Sequence, residues 1–176
     1  MNQFLNLLKQ RRSTRVFTDK KITPAEIDKI LQAALMSPSG KSINEWAFIV
    51  IDDSTLLEKL AQSKAHGSQL LEKAPLAIVV IGDTTKSDVW IEDCSIASII
   101  IQLQAEAMGL GSCWVQIRQR SDKNGTPSEN VVRDLLAIPQ QYGIESIIAI
   151  GEKAQERKPF DESKLQKEKI HYNQYR

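Results

Sequence analysis

The chain is poor in the residues that build metal centres and covalent staples. Its two cysteines, Cys94 and Cys113, exclude a disulfide framework and a CxxC zinc site. Two histidines, His66 and His171, leave no material for a His-rich metal centre. An excess of one charge is missing too: 23 Lys and Arg face 22 Asp and Glu, a formal net charge of +1. No global field can gather nucleic acid or an anionic membrane, so any anion site must be local. The opening MNQFLNLLKQRR lacks an apolar signal core. The longest mostly apolar stretch, residues 91–108, carries Glu92, Asp93, Gln102, Gln104 and Glu106 and does not span a bilayer. A reducing cytoplasm is the expected compartment. No Ser-His-Asp set, paired-carboxylate signature or metal cluster stands out. An enzyme built on this chain would take its chemistry from a cofactor.

What is present fits one folded domain. Of the 176 residues, 41% are hydrophobic and 26% charged, which argues against disorder. A domain of this size buries roughly 70% of its unfolded surface. No repeat, linker or low-complexity segment breaks the chain. A helix is expected over 2–10, with Phe4, Leu5 and Leu8 on one stripe. Thr23-Pro24-Ala25-Glu26 reads as a capping box that opens a helix ending before Pro38. Its apolar face is Ile27, Ile30, Leu31, Ala34 and Leu35. Runs at 46–51 and 76–81 read as strands buried on both faces. Between them Asp53 or Ser54 caps a helix with Leu56, Leu57 and Leu60. A long helix over 91–108 closes at Gly109. Strands are expected at 112–117 and 146–150. Between those strands lie a polar loop at 119–126 and a helix capped by Ser128 that runs to Ala137. From residue 152 the tail is charged and polar, with almost no apolar periodicity until Ile170, Tyr172 and Tyr175. It reads either as a frayed end or as an arm lying on a partner chain.

Four segments can carry chemistry. Arg11-Arg12-Ser13-Thr14-Arg15 packs three guanidiniums and two hydroxyls into five residues. Guanidinium forks match phosphate, although a solvated helix end gives the same pattern. Without aromatic interleaving or a wider basic face it is a poor nucleic-acid module. Residues 37–46, SPSGKSINEW, are small and hydrogen-bonding, which lets a flat ligand approach the backbone. Gly40-Lys41-Ser42 is not a P-loop, because the first glycine is absent and the order is helix-then-strand. Residues 109–114, GLGSCW, follow a helix and precede a strand, which fails the dinucleotide fingerprint. There Cys113 reads as a packed small residue, not a nucleophile. Arg157 and Lys158 form a late basic pair.

Together these segments resemble the nitroreductase family of flavoproteins. RRSTRVF is similar to the family's opening Arg-Arg-Ser-x-Arg-x-Phe. SPSGKSINEWAFIVI resembles its Pro-Ser-x-x-Asn-x-Gln-Pro-Trp-x-Phe segment. VWIEDCSIASIIIQLQAEAMGLGSCWV resembles its central helix ending in Gly-Leu-Gly-Ser-x-Trp, and KIHYNQY its closing segment. Departures are Ser42 for the frequent Asn, Asn44 for Gln and Glu45 for Pro.

The resemblance implies an α+β fold, a mostly antiparallel sheet between helices, in a single domain over 1–176. The C-terminal extension, about 152–176, would be exchanged across an obligate homodimer. It implies FMN at the dimer interface, with NAD(P)H as reductant. Arg11, Arg12, Ser13 and Arg15 match the segment holding the FMN phosphate and ribityl chain, and Arg157 and Lys158 the late basic position. Pro38, Ser39, Gly40 and Ser42 match the segment that reaches the flavin from the other protomer. Gly111 and Ser112 match the stretch beside the isoalloxazine. The implied activity is ping-pong hydride transfer through flavin N5 to a nitroaromatic, quinone or similar acceptor. No side chain is assigned a catalytic role. A non-catalytic flavin-binding or sensor protein of the same fold is the alternative.

Overall fold

Local signals set most of the helix ends. In the computed structural model, which describes residues 2–175, the first helix, α1 (Gln3–Gln10), is capped by the Asn2 side chain. The expected capping box opens α2 (Pro24–Leu35): Thr23 accepts from the Glu26 N–H while the Glu26 carboxylate accepts from Thr23. Asp53 caps α3 (Ser54–Ala61). The long helix α4 (Trp90–Ala107) ends where Gly109 takes a positive φ. In α5 (Ser128–Leu136) the expected cap fails. Pro127 holds the cap position, and Ser128 is the first helical residue, its buried hydroxyl without a hydrogen-bond partner among the described residues.

The strands β1 (Trp46–Ile51), β2 (Leu76–Asp83), β3 (Gly111–Gln116) and β4 (Tyr142–Gly151) form one antiparallel sheet in the order β1-β2-β4-β3. β4 starts four residues before the expected boundary. Its first residues, Tyr142 and Gly143, pair with Asp83 and Gly82, and a bulge at Glu145 breaks the alternation that would have marked them.

Side chains of β2 and β4 alternate between two cores. Val79, Ile81, Ile147 and Ala149 meet α3 and α5 on one face. Leu76, Ile78, Ile148 and Ile150 meet α2 and α4 on the other. Helices on both faces explain why these strands read as continuous apolar runs although the sheet is antiparallel. β1 departs from expectation: it is an edge strand, and its middle residues are only half-buried. The stripe on α1 is exposed as well, with no buried residue in that helix.

The tail begins by folding back onto α1. The Phe160 N–H donates to the Lys9 carbonyl, and Lys9 pairs with Glu162 at 2.8 Å. Beyond Leu165 it lies exposed. No helix among the described residues is long and apolar enough to cross a membrane.

Candidate functional site

The segment after α1 crosses the ends of β3 and β4. Thr14 donates its N–H to the Ser112 carbonyl, Thr18 donates to the Glu152 carbonyl, and Ala154 donates to Val16. Gly111 permits this crossing. A Cβ there would lie 2.5 Å from Thr14 Oγ1 and 2.7 Å from its Cβ and Cγ2. The crossing brings the two ends of the chain together. Arg11, Arg12, Ser13, Arg15 and Arg157 line one cavity of about 280 Å³. Among the described residues none of these four guanidiniums has an acid within ion-pairing distance. Four unpaired cations around one hollow repel each other and are stabilised by an anion with several acceptor oxygens. Lys158, beside Arg157 in sequence, does not line the cavity. Arg15 also borders a neighbouring cavity of about 440 Å³, with the following residues through Asp19 and with Gln69, Leu70 and Lys73. Those last three carry no motif that sequence reading could have found.

Ser112 and Gly111 lie directly beside this hollow, through the Ser13–Ser112 bridge. Cys113 is next to them, and burial pushes its thiol above the ordinary value despite Arg15, Ser13, Arg11 and Lys64 nearby. Cys113 is a free thiol buried in the sheet.

A buried ion pair fixes the same end of the molecule. Lys153 Nζ sits 2.7 Å from Glu106 Oε1, their side chains 16% and 5% exposed. It ties the chain after β4 to the last turn of α4, and Lys153 shares a small cleft with Arg12 and Arg157.

The 37–46 segment lies elsewhere. The Gly40 N–H donates to both Asp93 carboxylate oxygens, at 3.0 and 2.9 Å, in the first turn of α4. The Ser39 hydroxyl donates to Asn44 Oδ1 and accepts from the Asn44 N–H, both at 2.8 Å. Lys41, Ser42 and Asn44 all have φ in the left-handed region, between 52° and 55°. Non-glycine residues there persist only where surrounding contacts impose the shape, a pattern concentrated at ligand clamps. Pro38, Lys41 and Ser42 are exposed. Within the chain this loop and the cationic hollow therefore sit at opposite ends of α4. From Asp93 to Glu106 the helix rises about 20 Å at 1.5 Å per residue. The structure brings Arg11, Arg12, Ser13, Arg15, Arg157, Gly111 and Ser112 together, and leaves Pro38, Ser39, Gly40 and Ser42 apart from them.

Comparison with known proteins gives consistent matches. The family model described as "Nitroreductase family" matches residues 8–69 and 56–152. A protein of Archaeoglobus fulgidus, provisionally named NADH dehydrogenase/NAD(P)H nitroreductase, is 36% identical over 155 residues, 86% of each chain. The solved FMN-dependent nitroreductase of Clostridium difficile R20291 is 45% identical with a TM-score of 0.94, covering 97% of this chain and 99% of its own. A nitroreductase-type protein of Desulfovibrio desulfuricans, solved in complex with FMN, is 27% identical with a TM-score of 0.74 and 88% of each chain covered.

Proposed function

The chain belongs to the nitroreductase family, and from that premise we propose that it is a homodimeric, FMN-dependent NAD(P)H oxidoreductase. The observation that carries this reading is the cavity lined by four guanidiniums from the two ends of the chain, none of them ion-paired among the described residues. Its donor set fits the FMN phosphate, which holds close to two negative charges at neutral pH. Arg11, Arg12, Ser13, Arg15 and Arg157 would hold that phosphate, with Lys158 joining from the tail. The backbone at Gly111 and Ser112 lies beside the hollow and would face the ring system. Bound there, FMN would supply two-electron hydride transfer from NAD(P)H to a second flat acceptor, such as a nitroaromatic or a quinone, in a ping-pong sequence. The positive set would also stabilise negative charge gained on reduction. Solvent suffices as proton source.

The separation along α4 supports a dimer. The loop at 38–42 sits at the opposite end of α4 from its own hollow, and in this reading it would come from a second protomer. Exposed Leu35, Met36, Ile96 and Ile99 offer apolar surface for that contact, and Tyr172 and Tyr175 could find cover there through the exchanged arm. The protein would be cytoplasmic.

Purified protein is expected to be yellow and to bleach with NAD(P)H under anaerobic conditions. An acceptor panel would then show steady-state NAD(P)H oxidation. A colourless protein that cannot be reconstituted with FMN contradicts the reading. A yellow protein that shows no steady-state NAD(P)H oxidation with any acceptor contradicts the enzyme and leaves a flavin binder.

A further inference from the structure

Beneath the 38–44 loop lies a pair of acids that the family pattern does not explain. Glu45 stands where proline is usual, and it is only 3% exposed. Among the described residues neither of its carboxylate oxygens has a hydrogen-bond partner that meets ordinary geometry. The charged group it faces is the Asp93 carboxyl of α4, itself 4% exposed, with the Ser87 hydroxyl of the β2–α4 loop alongside. Beyond them the Cys94 thiol lies in the field of Glu45, Asp93 and Glu145 of β4. No cation among the described residues pairs with Glu45 or Asp93. Two carboxylates facing each other, buried and without a counter-ion, resist joint ionisation.

We propose that Glu45 and Asp93 share one proton, and that this pair is a positioning element holding the 38–44 loop in its ligand-facing shape. Glu45 donates the proton to Asp93, and Asp93 accepts the Gly40 N–H with both oxygens. A Cβ at Gly40 would meet Val89 Cγ2 at 2.8 Å, so the loop backbone sits directly on the first turn of α4. Strain at Lys41, Ser42 and Asn44 is held against that anchor. Loss of the proton puts two negative charges side by side under the loop and releases Gly40. The role for ligand binding rests on the flavin reading above. The shared proton itself does not.

The sign is fixed by burial and the neighbouring acid. Both push the Glu45 carboxyl above its ordinary value of 4.5. The folded chain therefore binds an extra proton between that value and the folded one. The stabilisation is complete below the ordinary value and is lost as pH rises through the folded value.

The test uses apo wild type, Glu45→Gln and Asp93→Asn, with melting temperature and FMN Kd read from about pH 5 to about pH 9. Glu45→Gln keeps a permanent N–H donor to Asp93. The wild type is expected to lose melting temperature relative to Glu45→Gln as pH rises, and its FMN Kd to weaken about tenfold more across the range. In Asp93→Asn the like charge is gone and the fall moves to lower pH. That variant serves alone should Glu45→Gln fail to fold. Parallel melting curves for the wild type and either folded variant overturn the shared proton. Diverging melting curves with parallel FMN titrations overturn the positioning role. If the apo curves diverge but no protein binds FMN at any pH, the shared proton stands and the flavin reading falls.

Discussion

Arg11→Ala with Arg15→Ala is expected to weaken FMN binding by roughly 100-fold to 1000-fold. A hydrogen bond to a charged group contributes about 1.5–3 kcal/mol, and each 1.4 kcal/mol is a factor of ten. Two such contacts would reach the upper part of that scale if both were buried. Arg11 is half-buried and Arg15 exposed, so the lower part applies. Arg12 and Arg157 remain on the cavity and keep residual affinity. Two controls isolate the phosphate. Riboflavin lacks it, so its weaker binding should change little in the double variant. Added salt should weaken FMN binding to wild type more steeply than to the variant, because fewer charges are left to screen. Equal FMN affinity in wild type and variant would show that the phosphate lies elsewhere.

Lys153→Ala is expected to destabilise the fold by about 3 kcal/mol, the lower end for breaking a buried pair. Glu106 has only this cation within ion-pairing distance among the described residues, and its side chain is 5% exposed. Removing Lys153 strands a carboxylate in the interior. For a chain of this size such a loss lowers the melting temperature by roughly 6–12 °C. Lys153→Met should behave the same way, since it keeps the stem and loses the charge. Adding Glu106→Gln should recover most of the loss, because no charge is then left unpaired. Lys20→Ala is the contrasting case: its pair with Glu152 is exposed at 2.9 Å, and its loss should hardly register. Thermal melting of the five proteins decides. A drop for Lys153→Ala no larger than for Lys20→Ala would mean that the pair at the end of α4 is not a structural anchor.

These two sites show how far the sequence could be read. The cation density at residues 11–15 was visible, because it is local. That Arg157 joins it was expected only through the family resemblance, since nothing in the 141 residues between Arg15 and Arg157 encodes the meeting; the crossing hydrogen bonds of Thr14, Thr18 and Ala154 create it. Helix ends were legible where a capping side chain sat next to the helix, as at Thr23 and Asp53, and failed at Ser128, where a proline took the cap. The apolar runs at 46–51 and 76–81 looked alike in sequence. Their burial differs because one strand is central and the other lies at the edge, a property of sheet order that no single segment holds. Glu45 was visible as a departure from the family pattern. Its partner Asp93 lies 48 residues away on another element, and only the fold makes the two acids neighbours.

The composite site is tested most directly in a heterodimer. Gly40→Val, whose side chain would strike Val89, is made in one chain and Arg11→Ala with Arg15→Ala in the other. The two chains carry different affinity tags, are co-expressed and are purified through both. A site assembled from one protomer's hollow and its partner's loop leaves each heterodimer with one intact site and one doubly damaged site. FMN titration should then show about one tight site per two chains, while each variant homodimer shows none. A heterodimer with no tight site would place loop and hollow in the same protomer and contradict the account.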